Sequence, residues 1–157
     1  MSGGPDSMAL VFLAKVYAIK NGLNPKFYIV NHNLRKDSTN EALLVKKVLR
    51  KFFINAKVLN WGGKKPTSNL QSISRDNRFK LLFKECKKYK ISNILLGHHI
   101  DDLYENFFIR ILRGSGLKGL ISLGKKTTMD NINILRPLLD VSKNELEFIS
   151  TKTFNFF

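Results

Sequence analysis

The chain has 157 residues and a formal net charge of +15, with 27 lysines and arginines against 12 acidic residues. A hydrophobic content of 43% suits one domain with a sizeable core, and no apolar run is long enough to span a membrane. The single cysteine, Cys86, excludes an internal disulfide and a cysteine-built metal or iron–sulfur cage.

The basic excess is spread along the chain ("RKFFINAK", "WGGKKP", "KECKKYK") and favours a polyanionic partner, nucleic acid above all. A lysine-rich proteome would produce the same bias without such a partner. No secretory leader is read at the N-terminus, and the cytoplasm is the expected location.

The first element is a glycine turn, "SGGPDS", running into a predicted helix, "DSMALVFLAKVYAIK". Glycines allow the backbone to approach a ligand closely, and Pro5 suits the first helical position. A turn of this kind at a helix N-terminus cradles anions, and Ser2, Gly3, Gly4 and Ser7 supply the donors for phosphate. It lacks the Gly-Lys-Ser/Thr ending of a Walker loop. Asp6 would repel phosphate without a cation between them, which points to magnesium. A well-capped helix start without a ligand is the other reading.

"KFYIVNH" then reads as a strand that ends at His32, either a ribose or base contact or a capped strand end. In "DSTNEALLVKKVLRKFF", Ser38 and Glu41 have the spacing of a capping box, and Leu44, Val45, Val48 and Phe52 recur at helical period. "AKVLNW" is strand-like and "GGKKPTSN" a basic loop. The next helix, "LQSISRDNRFKLLFKECKKYK", buries Ile73, Phe79, Leu82, Phe83 and Cys86. Arg75 and Arg78 sit three apart on it, as anion ligands or as solvated arginines.

"SNILLGHH" reads as a buried strand with a polar end, and "IDDLYENFFIRILR" as a helix with Ile100, Leu103, Phe107 and Ile111 on its buried stripe. Asp102 and Glu105 share the open side, suited to a substrate ammonium or simply to the helix dipole. A metal site at His98, His99, Asp101 and Asp102 is disfavoured, because adjacent side chains diverge. "GSGLKG" matches a dinucleotide pattern, with Asp140 about twenty residues on, but it follows a helix and not a strand. A phosphate- or RNA-binding loop beside Arg110 and Arg113, or a helix C-cap, fits it better. "INILRPL" is a strand and "DVSKNELEFIS" starts the last helix. Strands alternating with helices predict an α/β fold, a doubly wound and mainly parallel sheet flanked by helices, with ligands at the strand carboxyl ends.

Five segments in this order resemble the tRNA(Ile)-lysidine synthetase family of the ATP-pyrophosphatase (PP-loop) superfamily. They are "SGGPDSMAL", "NHNLRKDSTNEA", "NLQSISRDNRFKLL", "GHHIDDLYENFFIRILRGSGLKGL" and "ILRPLLDVSKNELEFI". The likeness runs from Ser2 to about Ile149. It implies an adenine nucleotide alpha hydrolase-like fold, and a reaction in which ATP adenylates the wobble cytosine of an isoleucine tRNA before free lysine displaces AMP. By the same resemblance, Ser2 to Ser7, His32 and Arg75 would bind ATP, with Asp6 also a magnesium ligand. Asp102 and Glu105 would bind lysine and share the catalysis with Asp6, while Arg78, Arg110 and Arg113 would contact tRNA or phosphate.

Asn106 stands where the family usually has threonine. The family also has a hydrophobic first strand at the sheet centre, ahead of the loop, and tRNA-binding domains after the core. Residues 1–157 are therefore expected to form a single catalytic domain that is incomplete at both ends, with a poorly anchored loop and unpaired sheet edges.

Overall fold

A computed structural model describes residues 3–63, 69–112, 114 and 124–155. Helices and strands alternate as α1 (Pro5–Lys20), β1 (Phe27–Asn31), α2 (Ser38–Lys51), β2 (Ala56–Asn60), α3 (Leu70–Tyr89), β3 (Asn93–Leu95) and α4 (Ile100–Leu112). A hairpin, β4 (Lys126–Met129) and β5 (Ile132–Leu135), and a last helix, α5 (Lys143–Phe154), complete the order. β1 pairs with β2 in parallel, from Phe27 opposite Ala56 to Asn31 opposite Asn60. β3 pairs with β5 in parallel, and β4 joins β5 antiparallel. Among the described residues these are two sheets, β1-β2 and β3-β5-β4.

The hairpin is the element that strand periodicity missed. Asp130 and Asn131 both take left-handed angles (φ 49° and 59°), as a two-residue turn between right-twisted strands requires. An Asp-Asn step between "KTTM" and "INIL" was its available signal.

Strand alternation sends neighbouring residues to opposite helix layers. Ile29 and Ala56 join Met8 and Val11 of α1, Ala42, Val45 and Leu49 of α2, and Phe154 of α5. On the other face, Val30 and Leu59 of one sheet and Ile94, Ile132 and Ile134 of the other pack against Phe79, Leu82, Phe83 and Cys86 of α3. Helix α3 thus spans both sheets, and a shared apolar layer joins what strand pairing does not. Helix α1 lies along α5 through Ala9, Leu10 and Leu146.

Several sequence expectations need correction. The N-cap of α2 is Asp37, and no side chain caps it. The Ser38 hydroxyl donates back to the Arg35 carbonyl (2.9 Å), and Glu41 pairs with Arg35 (2.9 Å), so there is no capping box. The capping box forms instead at Ser142 and Glu145, at the start of α5. In α2, Leu49 is buried and Leu44 is exposed, one step around the helix from the expected stripe. Strand β3 is only three residues long, with Ile94 buried and Leu95 exposed. Helix α4 buries none of its residues, and Phe107 and Ile111 are exposed. Periodicity marks an apolar face but not whether another element covers it. The glycine loop is anchored: Ser7 Oγ accepts from the Gly3 amide (3.2 Å) and donates to the Gly4 carbonyl (2.9 Å). The fully buried Ser150 of α5 donates to the Pro5 carbonyl.

Under α3, the Glu85 carboxylate accepts from Lys57 Nζ (2.8 Å) and from the Tyr28 hydroxyl. Those bonds hold Glu85 below its ordinary value, while burial and Glu85 push Tyr28 up to about 12. A carboxylate depressed in the folded state is protonated first in the unfolded chain, so its stabilisation is lost as pH falls. Wild-type thermal stability is therefore expected to decline as the pH drops below the ordinary glutamate value of 4.5, with a flatter acid limb in Glu85→Gln. Melting curves from about pH 6 to about pH 3 measure this, and parallel limbs would refute it.

Candidate active site

The glycine turn, the end of β3 and the start of α4 meet at the carboxyl ends of the parallel strands, where open α/β sheets take ligands. Gly3 has φ +89°, and a Cβ there would sit 2.6 Å from Val45 Cγ2. Gly97, after β3, lies so close to the loop that a Cβ would fall 3.1 Å from the Asp6 carbonyl oxygen. Both glycines therefore have steric reasons. The first turn of α1 directs amides without helical partners toward this edge, a favourable setting for phosphate.

His99 organises the acidic side of the site. It is 5% exposed and lies among three carboxylates. Its Nε2 is 3.7 Å from Asp6 and 3.4 Å from Asp102, and its Nδ1 is 3.3 Å from Asp101. Asp102 also accepts from the His99 amide (2.9 Å), which fixes the first turn of α4. Asp101 accepts from the Lys143 amide (2.9 Å) and ties α4 to the start of α5. Burial pushes the Asp6 carboxyl above its ordinary value, with His99 opposing the shift and Asp102 reinforcing it. Glu105 is exposed, one turn beyond Asp102, and Asn106 donates to the Asp102 carbonyl (2.8 Å).

A cationic side faces these carboxylates. Arg78 has a buried Nε without a partner, and burial followed by the charge of Arg75 lowers its pKa. His32 also has a buried nitrogen, Nδ1, without a partner, and burial followed by Arg78 pushes its pKa down. It is placed by Asn31, which bonds Asn60 (3.2 Å) and Thr39 (3.1 Å) and accepts from the Asn33 amide (2.9 Å).

Arg136, only 4% exposed, donates to His98 Nδ1 (3.2 Å), to the Gly124 carbonyl (2.9 Å) and to Thr127 Oγ1 (3.1 Å). Sequence reasoning passed over Arg136, although an arginine closing an apolar strand was a visible signal. It weighed His99 only as a metal ligand and set it aside, because the approach of His99 to Asp6 joins two segments far apart in the chain.

The structure brings Asp6, Asp102, His32, Arg75 and Arg78 to this edge, with Gly3, Gly4, Pro5 and Ser7 forming the loop. Arg110 lies half-buried toward the far end of α4. Ser2 and Arg113 lie outside the described residues, as does most of "GSGLKG". Gly114 follows α4 as a turn with φ +66° and donates to the Ile111 carbonyl (2.9 Å), while Asp140 pairs with Lys125. The dinucleotide reading therefore fails on both counts.

No group of three or more His, Cys, Asp or Glu among the described residues is arranged to hold a metal. Magnesium commonly takes one or two carboxylates and completes its shell with phosphates and water, and the orphaned buried Oδ1 of Asp6 fits that role.

A loop of close-packed glycines, a helix N-terminus and opposed acidic and basic sides define a nucleotide-binding α/β domain. The chain belongs to the PP-loop domain family, which matches residues 1–157. It is 38% identical over 147 residues to the tRNA(Ile)-lysidine synthase of Orientia tsutsugamushi (strain Boryong), covering 94% of this chain and 33% of that protein. Against the tRNA(Ile)-lysidine synthase of Wolbachia pipientis wMel, identity is 40% over 151 residues, covering 94% and 35%.

The corresponding figures for the tRNA(Ile)-lysidine synthase of Bradyrhizobium sp. are 36% over 148 residues, 93% and 41%. The chain thus spans well under half the length of these relatives. Among solved structures, the U34-tRNA thiolase NcsA from Methanococcus maripaludis, with its 4Fe–4S cluster, superposes with a TM-score of 0.75. Identity there is 20%, covering 95% of this chain and 54% of that one, a likeness of fold. No helix among the described residues is long and apolar enough to cross a membrane.

Proposed function

We propose that this chain carries the catalytic centre of a tRNA(Ile)-lysidine synthase, joining free lysine to the wobble cytosine of an isoleucine tRNA with ATP, in the cytoplasm. The observation that supports this most is the meeting of Asp6 and Asp102 around His99, with Glu105 one turn away and Arg75 and Arg78 nearby. Such a site has an acidic side for a substrate ammonium and a basic side for phosphates.

In the first step the cytosine oxygen bonds the α-phosphorus of ATP, and pyrophosphate leaves with the electrons of the broken P–O bond. In the second, the lysine side-chain amine bonds the activated ring carbon, and AMP leaves with the former base oxygen. The glycine loop and Ser7 orient the phosphates, and Arg75, Arg78, Arg110 and Arg113 contact phosphate or tRNA. Magnesium held by Asp6 would offset charge on the leaving pyrophosphate. Asp102 and Glu105 hold the ammonium, and one of the acidic groups takes the proton it must lose before attack.

A tRNA thiolase of the same fold is disfavoured. The chain has one cysteine, Cys86, buried against α3's neighbours, and burial raises its thiol pKa. An RNA-binding remnant without activity is the remaining competitor, supported only by the charge of +15.

The deciding experiment mixes purified chain, isoleucine tRNA, ATP and labelled lysine. Incorporation of label with matching AMP release is expected. RNA binding without ATP turnover would favour the remnant.

A further inference from the structure

We propose that His98 is a hydrogen-bond donor to a phosphoryl oxygen, and that Arg136 is the positioning residue that fixes its tautomer. The inference rests on the nucleotide-binding reading above and adds two residues to it. An arginine Nε always carries hydrogen, so a bond from Arg136 Nε to His98 Nδ1 (3.2 Å) requires a bare lone pair on Nδ1. The imidazole proton then resides on Nε2, which meets no partner among the described residues. Arg136 is itself held by Gly124 and Thr127, so the donor is aligned before any ligand arrives.

The groups acting on His98 are Asp102 from α4, Arg136 after β5, and Arg78 and Arg75 from α3. Burial and these guanidinium charges lower its pKa, with Asp102 opposing them, which agrees with a neutral ring. Arg75, Arg78 and Arg136 form no ion pair with a carboxylate among the described residues, although Arg136 is buried and Arg78 has a buried, unbonded Nε. Three cations without counter-ions beside an uncharged N–H donor make a corner that selects an anion. Two guanidinium groups and an imidazole donor match the several oxygens of a phosphoryl group. That group belongs either to a nucleotide or to an RNA backbone.

The test uses the purified chain with 15N-labelled histidine, read by long-range proton–nitrogen NMR, with inorganic pyrophosphate, ATP and an anticodon stem-loop RNA as separate probes. His98 is expected as the Nε2–H tautomer, and Arg136→Met is expected to release it to a mixture. His98→Asn retains an acceptor for Arg136, but its shorter side-chain amide does not reach the position of the imidazole Nε2–H. It should keep the wild-type melting curve and bind pyrophosphate about tenfold more weakly. A matching loss for ATP alone assigns the phosphoryl group to the nucleotide, and for the RNA alone to tRNA.

An Nδ1–H tautomer in the wild type overturns the proposal. So does wild-type affinity of His98→Asn for all three probes. If Arg136→Met does not fold, the wild-type spectrum and His98→Asn still decide. None of these readouts needs lysine transfer, so failure of the proposed reaction would be seen separately.

Discussion

Asp102→Asn is expected to cut lysine transfer by on the order of a thousandfold, within the range for a positioned acid or base, with ATP binding nearly unchanged. The substitution keeps an oxygen that can accept from the His99 amide, now 2.9 Å from the carboxylate, so the first turn of α4 stays capped. What it removes is negative charge beside Asp6 and next to Glu105. A lysine ammonium would lose half of its counter-charge, and the proton acceptor would be lost or weakened. The fall should appear mainly as a higher KM for lysine if Asp102 binds the ammonium, and mainly as a lower kcat if it takes the proton. Steady-state kinetics with varied lysine separate the two, and transfer within tenfold of wild type would remove Asp102 from the mechanism.

Phe154→Ala is expected to destabilise the fold by about 3–5 kcal/mol, the usual cost of deleting a buried aromatic ring. Phe154 is 6% exposed and packs edge-on against Phe52, at 4.8 Å between centroids, and against Phe12, at 6.4 Å. It thereby joins the end of α5 to α1 and α2, in the cluster that includes Ile29. A domain of this size is commonly stable by only about 5–15 kcal/mol, so the loss would be a large part of the total. Urea unfolding of the two chains measures it, and a difference below about 1 kcal/mol would show that the ring is not a core residue. The effect has a bearing on catalysis, because α5 also holds the glycine loop through Ser150 and Pro5.

The residues that repeat with local period were the ones that could be read in advance. The aromatic and β-branched run "FYIVN" forms its strand, and Phe79, Leu82, Phe83 and Cys86 lie in the core as their spacing predicts, whereas Ile73, expected with them, is only half-buried. The glycine turn was legible for a similar reason, since backbone freedom and helix dipoles act over a few residues. The stripe on α4 failed, because burial of Phe107 and Ile111 requires a neighbour that local period does not specify. The Ser38 capping box failed because Arg35 offered its carbonyl to the hydroxyl and its guanidinium to Glu41.

The amino-acid sequence alone was enough for the order of helices and strands apart from β4, for the α/β class, and for the carboxylates and arginines available for chemistry. Composition, period and short spacings carry that information, because each is set within one segment. Only the tertiary structure decided that His99 lies among Asp6, Asp101 and Asp102, that Arg136 bonds His98, and that Phe154 closes the core. Asp6 and His99 are brought together by packing of distant segments, as are Phe12 and Phe154. A side chain's charge and exposure depend on what packing brings beside it, and no local pattern records that.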